Sequence, residues 1–299
     1  MQSISKLRQV LTLKQKEKFQ EDGFLIVKKM LSSYDLQPII NELSDNVEVG
    51  IQSAISMGLL SVDQTFTEAT FATRLVYAST ACSEPGWIWN NFFRNQKPRT
   101  RGMFFVRTAG PLLDAIESII GPEIFAHPQF NFRAKLPDQQ ATVIPWHQDL
   151  AYLIPSEAAD TMVVNAWIPL VPTSVENGCL QLIQGSHKFG LFPHGQQDLT
   201  PGHTGNIGIA DDHLPSGKII TAEMSVGDVL LSTERLVHRG LPNRSNMVRW
   251  SVDTRYSQIG LPTGRRNVPG FIARSHQVPE NVAQSHSDWN QAFKNGLTF

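Results

Sequence analysis

The pattern of hydrophobic and polar positions divides the chain into a helical N-terminal part, about 1–122, and a β-rich part that follows it. Thr12 and Gln15 form a capping-box pattern before an amphipathic stretch, and Gly23 stands where the C-terminus of a helix is expected. Together these signals predict a first helix over about 12–22.

Two further helices are predicted in the N-terminal part. Ser32 opens a stretch whose apolar residues lie three and four positions apart up to Val47, and Pro111 opens a similar stretch that ends at Gly121. Residues 50–108, between these stretches, mix Gly, Thr and Ser with aromatic residues and show no regular period. We therefore expect them to form an insertion of helices and loops.

From about residue 123 the chain consists of short runs rich in β-branched and aromatic residues, separated by Pro, Gly, Asn and Asp. The predicted strands cover 124–135, 143–149, 162–171, 179–185, 218–224, 228–233, 236–240 and 247–256. Helices that precede strands, instead of alternating with them, predict an α+β fold with a mainly β core. Roughly eight strands at this spacing favour a double-sheet jelly roll or a barrel.

The sequence predicts one domain over residues 1–299, because no stretch is rich enough in Pro, Gly and Ser to act as a linker. The helical part is followed by a β core over about 123–258 and by a C-terminal extension over 259–299. Within the β core, residues 193–217 are rich in Gly, Pro and Asp. We interpret this segment as a lid or a surface loop.

Composition and charge exclude several classes of protein. The 26 Lys and Arg residues against 27 Asp and Glu residues give a net charge of −1, without the basic surplus of a nucleic-acid-binding protein. No run approaches the roughly 18 consecutive apolar residues of a membrane span, and the first residues lack the apolar core of a secretory signal. Only Cys82 and Cys179 are present, which excludes a disulfide framework and a cysteine-based zinc site. We expect a soluble cytoplasmic protein that binds a small molecule, and neither nucleic acid nor a membrane.

The segment Trp146-His147-Gln148-Asp149 places an imidazole and a carboxylate two positions apart on a predicted strand. Residues i and i+2 of a strand face the same side, so His147 and Asp149 are candidate ligands of one metal ion. The triplet alone is a weak signal, because many such pairs are a surface histidine beside an acid.

His238, on the predicted strand 236–240, is the candidate for a third ligand. Two histidines and one carboxylate that leave open positions form the facial triad of non-haem Fe(II) oxygenases. The ordinary alternative is a hydrogen-bonded core histidine, which is the commoner role of an isolated histidine on a strand. The residues near His238 decide between the two interpretations.

Arg249 is the most informative of these residues. Residues 241–246 carry strong turn signals, and a four-residue hairpin loop there would place Arg249 directly opposite His238, on the same face. A guanidinium in this position is suited to bidentate binding of a carboxylate, and its burial is costly without an anionic partner. Capture of a carboxylate ligand and a buried salt bridge to Asp253 or Glu234 agree equally well with the sequence.

Taken together, these residues resemble the phytanoyl-CoA dioxygenase family of Fe(II)/2-oxoglutarate oxygenases. The matching stretches, in the family's order, are LTLKQKEKFQEDGFLIVKKMLS, PWHQDLAY, NAWIPLV, ENGCLQLIQGSHK, GDVLLSTERLVHRG and NMVRWSVDTRY. They span most of the chain, and the HxD triplet, the late strand histidine and an arginine eleven residues after it would rarely occur together by chance. The resemblance implies a double-stranded β-helix (jelly-roll, cupin-like) core with the N-terminal helices packed on it.

The resemblance also implies a site and a reaction. His147, Asp149 and His238 match the ligands of Fe(II), which leaves three iron positions for 2-oxoglutarate and O₂. Arg249 matches the residue that holds the distal carboxylate of 2-oxoglutarate, and Trp167 matches a tryptophan near that cosubstrate. The implied reaction converts 2-oxoglutarate to succinate and CO₂ and oxidises, usually by hydroxylation, an unactivated C–H bond of a small-molecule metabolite. The presence of Asp149 argues against a halogenase, in which a small residue replaces this carboxylate.

Other positions match the family less well. Asn131, on the strand before the HxD triplet, is a weaker candidate for a contact to the cosubstrate. The family often has Ser or Thr two residues after the distal histidine, where this chain has Gly240. That contact is therefore absent here or comes from another side chain. Residues 50–108 and the C-terminal extension match only a broad branch of the family, so the acyl-CoA substrate of its namesake is not transferred.

Substrate specificity is expected in the irregular segments 50–108 and 193–217, because the inside of the β core is committed to iron and cosubstrate. The candidate substrate-binding residues are Trp87, Trp89, Arg94, Arg99 and Arg101. They offer aromatic faces and positive charge to a polar or anionic molecule with an apolar part. The ordinary alternative is core packing for the aromatic residues and a solvated loop for the arginines.

Two other functions stay open on the sequence alone. Another divalent-metal enzyme, such as a zinc enzyme, uses the same types of ligand but leaves Arg249 without a task. A non-enzymatic jelly-roll binding protein is the alternative of a different class, and the complete triad together with Arg249 disfavours it.

Overall fold

The computed structural model of the protein describes residues 10–158, 160–196, 207–265 and 268–294. Its helices are α1 (Leu13–Asp22), α2 (Ser33–Ser56), α3 (Arg74–Ala81), α4 (Trp87–Phe92), α5 (Arg101–Arg107), α6 (Gly110–Ile120), α7 (Pro155–Ala158) and α8 (His286–Lys294). Its strands are β1 (Phe24–Val27), β2 (Ile124–Lys135), β3 (Ile144–His147), β4 (Val164–Pro169), β5 (Leu180–Ile183), β6 (Gly195–Gln196), β7 (Ile207–Gly208), β8 (Ile219–Ala222), β9 (Val229–Thr233), β10 (His238–Gly240), β11 (Arg249–Gln258) and β12 (Phe271–Arg274). Within these described ranges, no helix is both long and apolar enough to cross a membrane.

The first helix begins and ends where the sequence predicts. Thr12 accepts a hydrogen bond from the backbone N–H of Gln15, and the Gln15 side chain accepts one from the N–H of Thr12, so the capping box is formed. Gly23 ends α1 with a φ of 80°, a conformation that glycine adopts without strain. A side chain at this position would also collide with His187, whose Nδ1 lies 2.3 Å from an ideal Cβ.

The insertion over residues 50–108 is largely helical. α2 continues past the predicted end at Val47 to Ser56, and α3, α4 and α5 follow it. α5 begins after Thr100, whose hydroxyl accepts a hydrogen bond from the N–H of Met103. The expected mixture of helices and loops is therefore confirmed.

Two antiparallel sheets make up most of the β part. The major sheet has the strand order β1-β9-β4-β11-β2-β12, and the minor sheet has the order β3-β10-β5-β8. All the predicted strands are present, near the predicted bounds, whereas the sequence does not predict the edge strands β1 and β12, which have 4 residues each. The α+β class with a mainly β core is confirmed.

Within the predicted lid or surface loop 193–217, the structure describes two short paired strands, β6 and β7. They are joined through residues 197–206, which lie outside the described residues. Behind them, Ile209 donates its N–H to the carbonyl oxygen of Trp146 at 2.7 Å, so the end of this segment is bonded to β3.

The major sheet separates the helices from the space between the two sheets, as its central strand β11 shows. Trp250 and Val252 belong to the main hydrophobic core, which also contains residues of α2, α4 and α6. Arg249, Asp253 and Arg255 line a cavity on the other side of the sheet. Because successive strand residues point to opposite faces, one strand supplies both an apolar core and a charged wall.

The prediction that Arg249 lies opposite His238 in a hairpin is wrong. His238 pairs with His147 in the minor sheet, whereas Arg249 pairs with Lys135 in the major sheet. The connection between β10 and β11 therefore crosses from one sheet to the other. Asn243 holds this crossing, since its Nδ2 donates to the carbonyl oxygen of Lys135 at 2.8 Å. The turn residues of this segment thus serve a crossover and not a hairpin.

The C-terminal extension returns to the major sheet. β12 pairs with β2, and Trp289 of α8 packs its ring against Phe130 and Phe271, with centroid distances of 5.0 and 5.2 Å. Trp289 is completely buried. The described part of the extension therefore contributes to the core.

Candidate active site

A cavity of about 180 Å³ lies between the major and the minor sheet. His147 at the end of β3 and His238 at the start of β10 are cross-strand neighbours on its minor-sheet wall, and Asp149 begins a short 3-10 helix directly after β3. One ligand atom of each of the three side chains lies within 4.8 Å of the other two. The predicted convergence of these residues is confirmed, and together they form a group able to hold a metal ion.

Hydrogen bonds on the far side of each ring orient the two histidines. Nδ1 of His147 lies 2.9 Å from the carbonyl oxygen of Pro145, and Nδ1 of His238 lies 3.0 Å from that of Leu236. Because a carbonyl oxygen only accepts, each Nδ1 carries a proton, and Nε2 is the nitrogen of each ring that is left to bind a metal. Burial, and next the neighbouring imidazole of His238, lowers the pKa of His147 to about 3, so its ring is neutral at physiological pH. Neutral imidazoles anchored in this way are the form that binds metals.

Two donors from the major sheet hold the Asp149 carboxylate. Asn165 Nδ2 donates to Oδ2 at 2.5 Å, and Arg255 Nη2 donates to Oδ1 at 2.8 Å. Burial raises the pKa of Asp149, but the Arg255 guanidinium and the two imidazoles outweigh burial, so this pKa lies well below its usual range. The carboxylate is therefore ionised, and its Oδ1 lies 3.8 Å from Nε2 of His147. Two imidazoles and one carboxylate on one side fit a divalent iron ion with open positions.

Gln148, between the two ligands of the HxD triplet, is turned away from the cavity and buried. Its Nε2 donates to the carbonyl oxygens of Gly190 at 2.7 Å and Arg235 at 2.6 Å, and its Oε1 accepts from the N–H of Phe192 at 2.8 Å. These three bonds fix the backbone between His147 and Asp149. The spacing of the two ligands is therefore held although only His147 belongs to a strand.

Arg249 lies on the major-sheet wall and is only 4% exposed. Its Nη1 donates to Oγ of Ser251 at 2.5 Å, and its guanidinium carbon lies 5.3 Å from the centre of the Trp167 ring. Its Nε has no hydrogen-bond partner among the described residues. The guanidinium therefore keeps donor capacity that faces the cavity.

The salt-bridge alternative for Arg249 is not found in the described residues. Asp253 instead lies 3.5 Å from Nε of Arg133, and Glu234 lies 3.3 Å from Nε of Arg235. Burial, and next the nearby Arg133, lowers the pKa of Arg249 to about 10, which leaves it charged at neutral pH. A buried cation thus faces the cavity without an anionic partner from the described chain.

Lys135 is one of the residues of this wall that sequence reasoning missed, together with Asn165 and Arg255. It pairs with Arg249 across β2 and β11, lines the cavity and is 2% exposed. Its Nζ donates to the carbonyl oxygen of Leu241. A signal was present, because Lys135 has the same strand parity as Asn131 and therefore faces the same side of β2.

Asn131 and Trp167 also line the cavity. Asn131 Nδ2 donates to Oδ1 of Asp253 at 2.7 Å, and its Oδ1 accepts from Nζ of Lys97 at 3.1 Å. Asp253 is the partner of both Asn131 and Trp167 in the register of the major sheet. These residues therefore form the middle of the wall, between the Arg249 end and the Arg255 end of β11.

The five predicted substrate-binding residues do not lie together. Trp89 and Arg94 line the cavity, whereas Trp87, Arg99 and Arg101 are outside its described wall. Trp87 packs against the hydrophobic core, Arg101 is exposed at the first position of α5, and the Arg99 guanidinium stacks 3.8 Å above a ring of α8. Because the start of α5 packs against α2, arginines there point away from the space between the sheets.

The cavity wall has an excess of positive charge. Among its described residues, guanidinium groups belong to Arg94, Arg133, Arg249 and Arg255, an amine belongs to Lys135, and carboxylates belong to Asp149 and Asp253. Apolar side chains of the minor sheet and of β9, among them Leu180, Leu182 and Leu230, complete the wall. The cavity therefore combines a metal-binding group, a cationic wall and an apolar surface.

Comparison with known proteins gives one family match and related sequences. The family model described as Phytanoyl-CoA dioxygenase (PhyH) matches residues 19–251. The chain is 25% identical over 250 residues to "Phytanoyl-CoA dioxygenase, peroxisomal" of Homo sapiens, which covers 83% of this chain and 69% of that protein. It is 31% identical over 156 residues to "1-deoxypentalenic acid 11-beta-hydroxylase" of Streptomyces arenae, which covers 44% of this chain and 50% of that protein.

Solved structures share the fold at low sequence identity. The non-heme monooxygenase ThoJ, in its apo form, superposes with a TM-score of 0.56 at 17% identity, covering 94% of this chain and 92% of that chain. The alpha-ketoglutarate-dependent epimerase SnoN from nogalamycin biosynthesis superposes with a TM-score of 0.52 at 17% identity, covering 84% and 85%. The family match spans most of the chain and includes the three converging side chains and Arg249. The chain therefore belongs to the phytanoyl-CoA dioxygenase family of non-haem, iron- and 2-oxoglutarate-dependent oxygenases.

Proposed function

We propose that the protein hydroxylates an unactivated C–H bond of a small molecule, with Fe(II) held by His147, Asp149 and His238. The observation that carries this proposal is the pairing of that group with Arg249 on the facing wall of one cavity. A zinc enzyme with the same ligands needs no such guanidinium, so the position of Arg249 favours an enzyme that also binds a carboxylate. The two facing antiparallel sheets support a double-stranded β-helix as the core.

The residues of the minor-sheet wall would hold the metal and leave part of its surroundings open. His147 and His238 present Nε2, and Asp149 presents an ionised carboxylate that Asn165 and Arg255 orient. When bound, the iron supplies activation of O₂ coupled to conversion of 2-oxoglutarate to succinate and CO₂. One oxygen atom of O₂ enters succinate and the other enters the hydroxylated product, so the reaction balances without a further reductant.

The residues of the major-sheet wall would orient 2-oxoglutarate. The Arg249 guanidinium binds the distal carboxylate as a fork, and the Trp167 ring beside it limits the directions from which the cosubstrate enters. Asn131, in the middle of the same wall, is within reach of the part of the cosubstrate that approaches the metal. The apolar side chains of Leu180 and Leu182 exclude water from the space between the metal and Arg249.

We further propose that the substrate carries an anionic group attached to an apolar part. The charges of a divalent metal and of dianionic 2-oxoglutarate cancel, so the cationic excess of the described cavity wall remains when both are bound. The names of two relatives, phytanoyl-CoA dioxygenase and 1-deoxypentalenic acid 11-beta-hydroxylase, agree with an anionic substrate that has an apolar part. Trp89 and Arg94 are the residues of the insertion that offer both kinds of contact.

Mass-spectrometric detection of succinate tests the reaction. Anaerobically purified protein is loaded with Fe(II) and 2-oxoglutarate and then exposed to O₂ with a panel of metabolites, half of them carboxylic acids or phosphates and half neutral. We expect slow succinate release without substrate and faster release with a subset of the anionic compounds. A protein that consumes no 2-oxoglutarate under any condition would rule out the proposed reaction, and stimulation by neutral compounds alone would rule out the anionic substrate.

Substitution of the insertion residues tests the substrate side. Arg94→Ala and Trp89→Phe should lower substrate-coupled turnover while uncoupled conversion of 2-oxoglutarate stays measurable. Arg101→Ala is the matched control, because Arg101 belongs to the same insertion but is exposed and outside the described cavity wall. Loss of the uncoupled reaction in a folded Arg94→Ala protein would show instead that this residue helps to bind the cosubstrate.

A further inference from the structure

We propose that Lys135 is the second cationic contact to the distal carboxylate of 2-oxoglutarate, in the space left by Gly240, and that it selects dicarboxylic 2-oxo acids. This inference rests on the proposed use of 2-oxoglutarate and adds a residue that the family resemblance did not assign. The family pattern often places a hydroxyl two residues after the distal histidine, and this chain has glycine there. The geometry around Lys135 accounts for the difference.

Lys135 and Arg249 form one pair of basic side chains at the end of the cavity. They are directly opposed in the register of β2 and β11, so their side chains share the face that lines the cavity. Both are almost fully buried, with exposures of 2% and 4%. Protonation of Lys135 would place a second buried cation beside Arg249 and make the two repel each other, and no described carboxylate forms an ion pair with either residue. A bound carboxylate between them would remove this repulsion.

The Lys135 ammonium has hydrogen-bonding capacity to spare. Its Nζ donates to the carbonyl oxygen of Leu241, and an ammonium group has three N–H bonds. Among the described residues, the carbonyl oxygen of Leu241 is the one acceptor that Nζ of Lys135 contacts. The Arg249 Nε is likewise without a hydrogen-bond partner in the described chain. A carboxylate with two oxygens can accept from both groups at once.

Two glycines lie beside the Lys135 side chain, and one of them, Gly178, makes room for it. A Cβ built on Gly240 would lie at ordinary contact distances, 3.5 Å from Nζ of Lys135 and 3.6 Å from Cβ of Ile144, so the side-chain nitrogen of Lys135 lies next to position 240. Gly178 has a φ of +87°, and a Cβ there would lie 3.0 Å from Cδ of Lys135 and 2.6 Å from the carbonyl oxygen of Leu241. The site of Lys135 is therefore built by its surroundings and is not a chance approach of a flexible side chain.

The charge state of Lys135 gives the proposal a distinctive signature. Burial lowers the pKa of Lys135 to about 6, with further lowering by Arg249 and Arg133 and an opposing effect of the Cys179 thiol. At pH 7.5 the amine is therefore mostly neutral in the ligand-free protein. A carboxylate placed against it favours the ammonium form, so binding should be accompanied by uptake of about one proton.

Calorimetric titration of Mn(II)-loaded protein with 2-oxoglutarate tests this assignment. Titrations at pH 7.5 in HEPES and in Tris, whose heats of ionisation differ, report the number of protons taken up. 2-Oxovalerate is the matched probe, because it has the same carbon chain without the distal carboxylate. We expect Lys135→Met to weaken binding of 2-oxoglutarate by about 10- to 100-fold, the range of a charge-assisted hydrogen bond, and to abolish proton uptake. Binding of 2-oxovalerate should be unchanged.

The double variant Lys135→Met with Gly240→Ser separates a binding role from a structural one. The new hydroxyl should restore part of the affinity for 2-oxoglutarate without restoring proton uptake. Wild-type affinity and wild-type proton uptake in a folded Lys135→Met protein would overturn the proposal, and so would an equal loss of affinity for both 2-oxo acids. Failure of the proposed function is a different result, since the wild-type protein would then not bind 2-oxoglutarate at all.

Discussion

The two walls of the cavity differ in how their polar groups are satisfied. On the minor-sheet wall, His147 and His238 each direct one nitrogen to a carbonyl oxygen of their own segment, and only the other nitrogen faces the cavity. On the major-sheet wall, Lys135 and Arg249 are buried with donor capacity unused by the described residues. The first wall is complete as a metal-binding group. The second is complete only with an anion.

This difference teaches where to look for ligands in such a fold. A metal site is recognisable from well-oriented side chains, because its ligands must be fixed before the ion arrives. A carboxylate site is recognisable from buried cations that lack anionic partners, because the cost of burying them is recovered when the ligand binds. Asp149 belongs to both walls, since Asn165 and Arg255 of the major sheet orient it toward the two histidines.

The largest effect is expected from removing a ligand of the minor-sheet wall. Asp149→Ala and His147→Ala should each abolish Fe(II) binding and succinate formation, because the remaining ligands cannot hold the metal. Metal content after anaerobic loading and the weak visible band of an iron-bound 2-oxo acid are the measurements. Asp212→Ala is a control, since Asp212 is an exposed carboxylate outside the described cavity wall. Full metal content in both variants would show that these residues are not the ligands.

A smaller effect is expected on the major-sheet wall, where the metal should stay bound. Arg249→Ala should raise the concentration of 2-oxoglutarate needed for half-maximal turnover by about 10- to 100-fold, the value of one charge-assisted contact. Arg249→Lys should recover only part of this loss, because an ammonium does not reproduce the guanidinium fork. Iron content should be unchanged in both variants. Loss of iron from the Arg249 variants would contradict the assignment of metal binding to the minor-sheet wall alone.

The residues that join the two walls should give an intermediate kind of defect. Asn165→Ala removes one of the two donors to Asp149 and should weaken Fe(II) binding by about 10-fold, within the range known for groups that orient metal ligands. Affinity for 2-oxoglutarate at saturating metal should not change. A metal titration followed by a cosubstrate titration on the same protein separates the effect on Fe(II) binding from the effect on 2-oxoglutarate binding. A change in cosubstrate affinity alone would assign Asn165 to the carboxylate side.

The smallest effect is on stability, and its sign is opposite to the effect on function. Lys135→Met should stabilise the ligand-free protein at pH 7.0 by about 1–2 kcal/mol, because it removes a buried amine that has to lose its proton on folding. This corresponds to a rise in Tm of about 2–8 °C. Because the pKa of Lys135 falls from 10.5 in the unfolded chain to about 6 in the folded one, the wild-type protein loses stability as pH falls between these values. The gain in Tm from the substitution should therefore shrink at pH 9.5, and an unchanged or larger gain would contradict the assigned shift.

Local sequence signals were sufficient for most strands of the two main sheets, although not for the edge strands β1 and β12, and together with the family resemblance they were sufficient for the metal-binding group. His147 and Asp149 come together although Asp149 lies in a 3-10 helix and not on the strand, because the two residues are only two positions apart. The sequence could not reveal which sheet β11 joins. The turn signals of 241–246 fit a hairpin and a crossover equally well, and the side chain of Asn243 selects the crossover through contacts to distant strands.

Contacts between distant segments also explain the other differences. The role of Lys135 depends on its pairing with Arg249, which is far away in sequence but directly opposite in the sheet. Arg99 and Arg101 looked suited to a substrate because of their charge, but the packing of α5 against α2 directs this part of the insertion elsewhere. The local sequence pattern therefore identifies candidate functional side chains, whereas the pairing of strands decides which of these side chains lie in the same site.

The alternation along β11 has a consequence for how the chain avoids misfolding. A shift of this strand by one residue would turn Arg249, Asp253 and Arg255 toward the helices and expose Trp250 and Val252 to the cavity. Such a shift would lose the hydrophobic core and bury charges without partners in the same step, and β11 is bonded on both edges, to β2 and β4. The residues that build the active site therefore also disfavour pairing of β11 in the wrong register, because a compact chain with β11 shifted by one residue would be unstable.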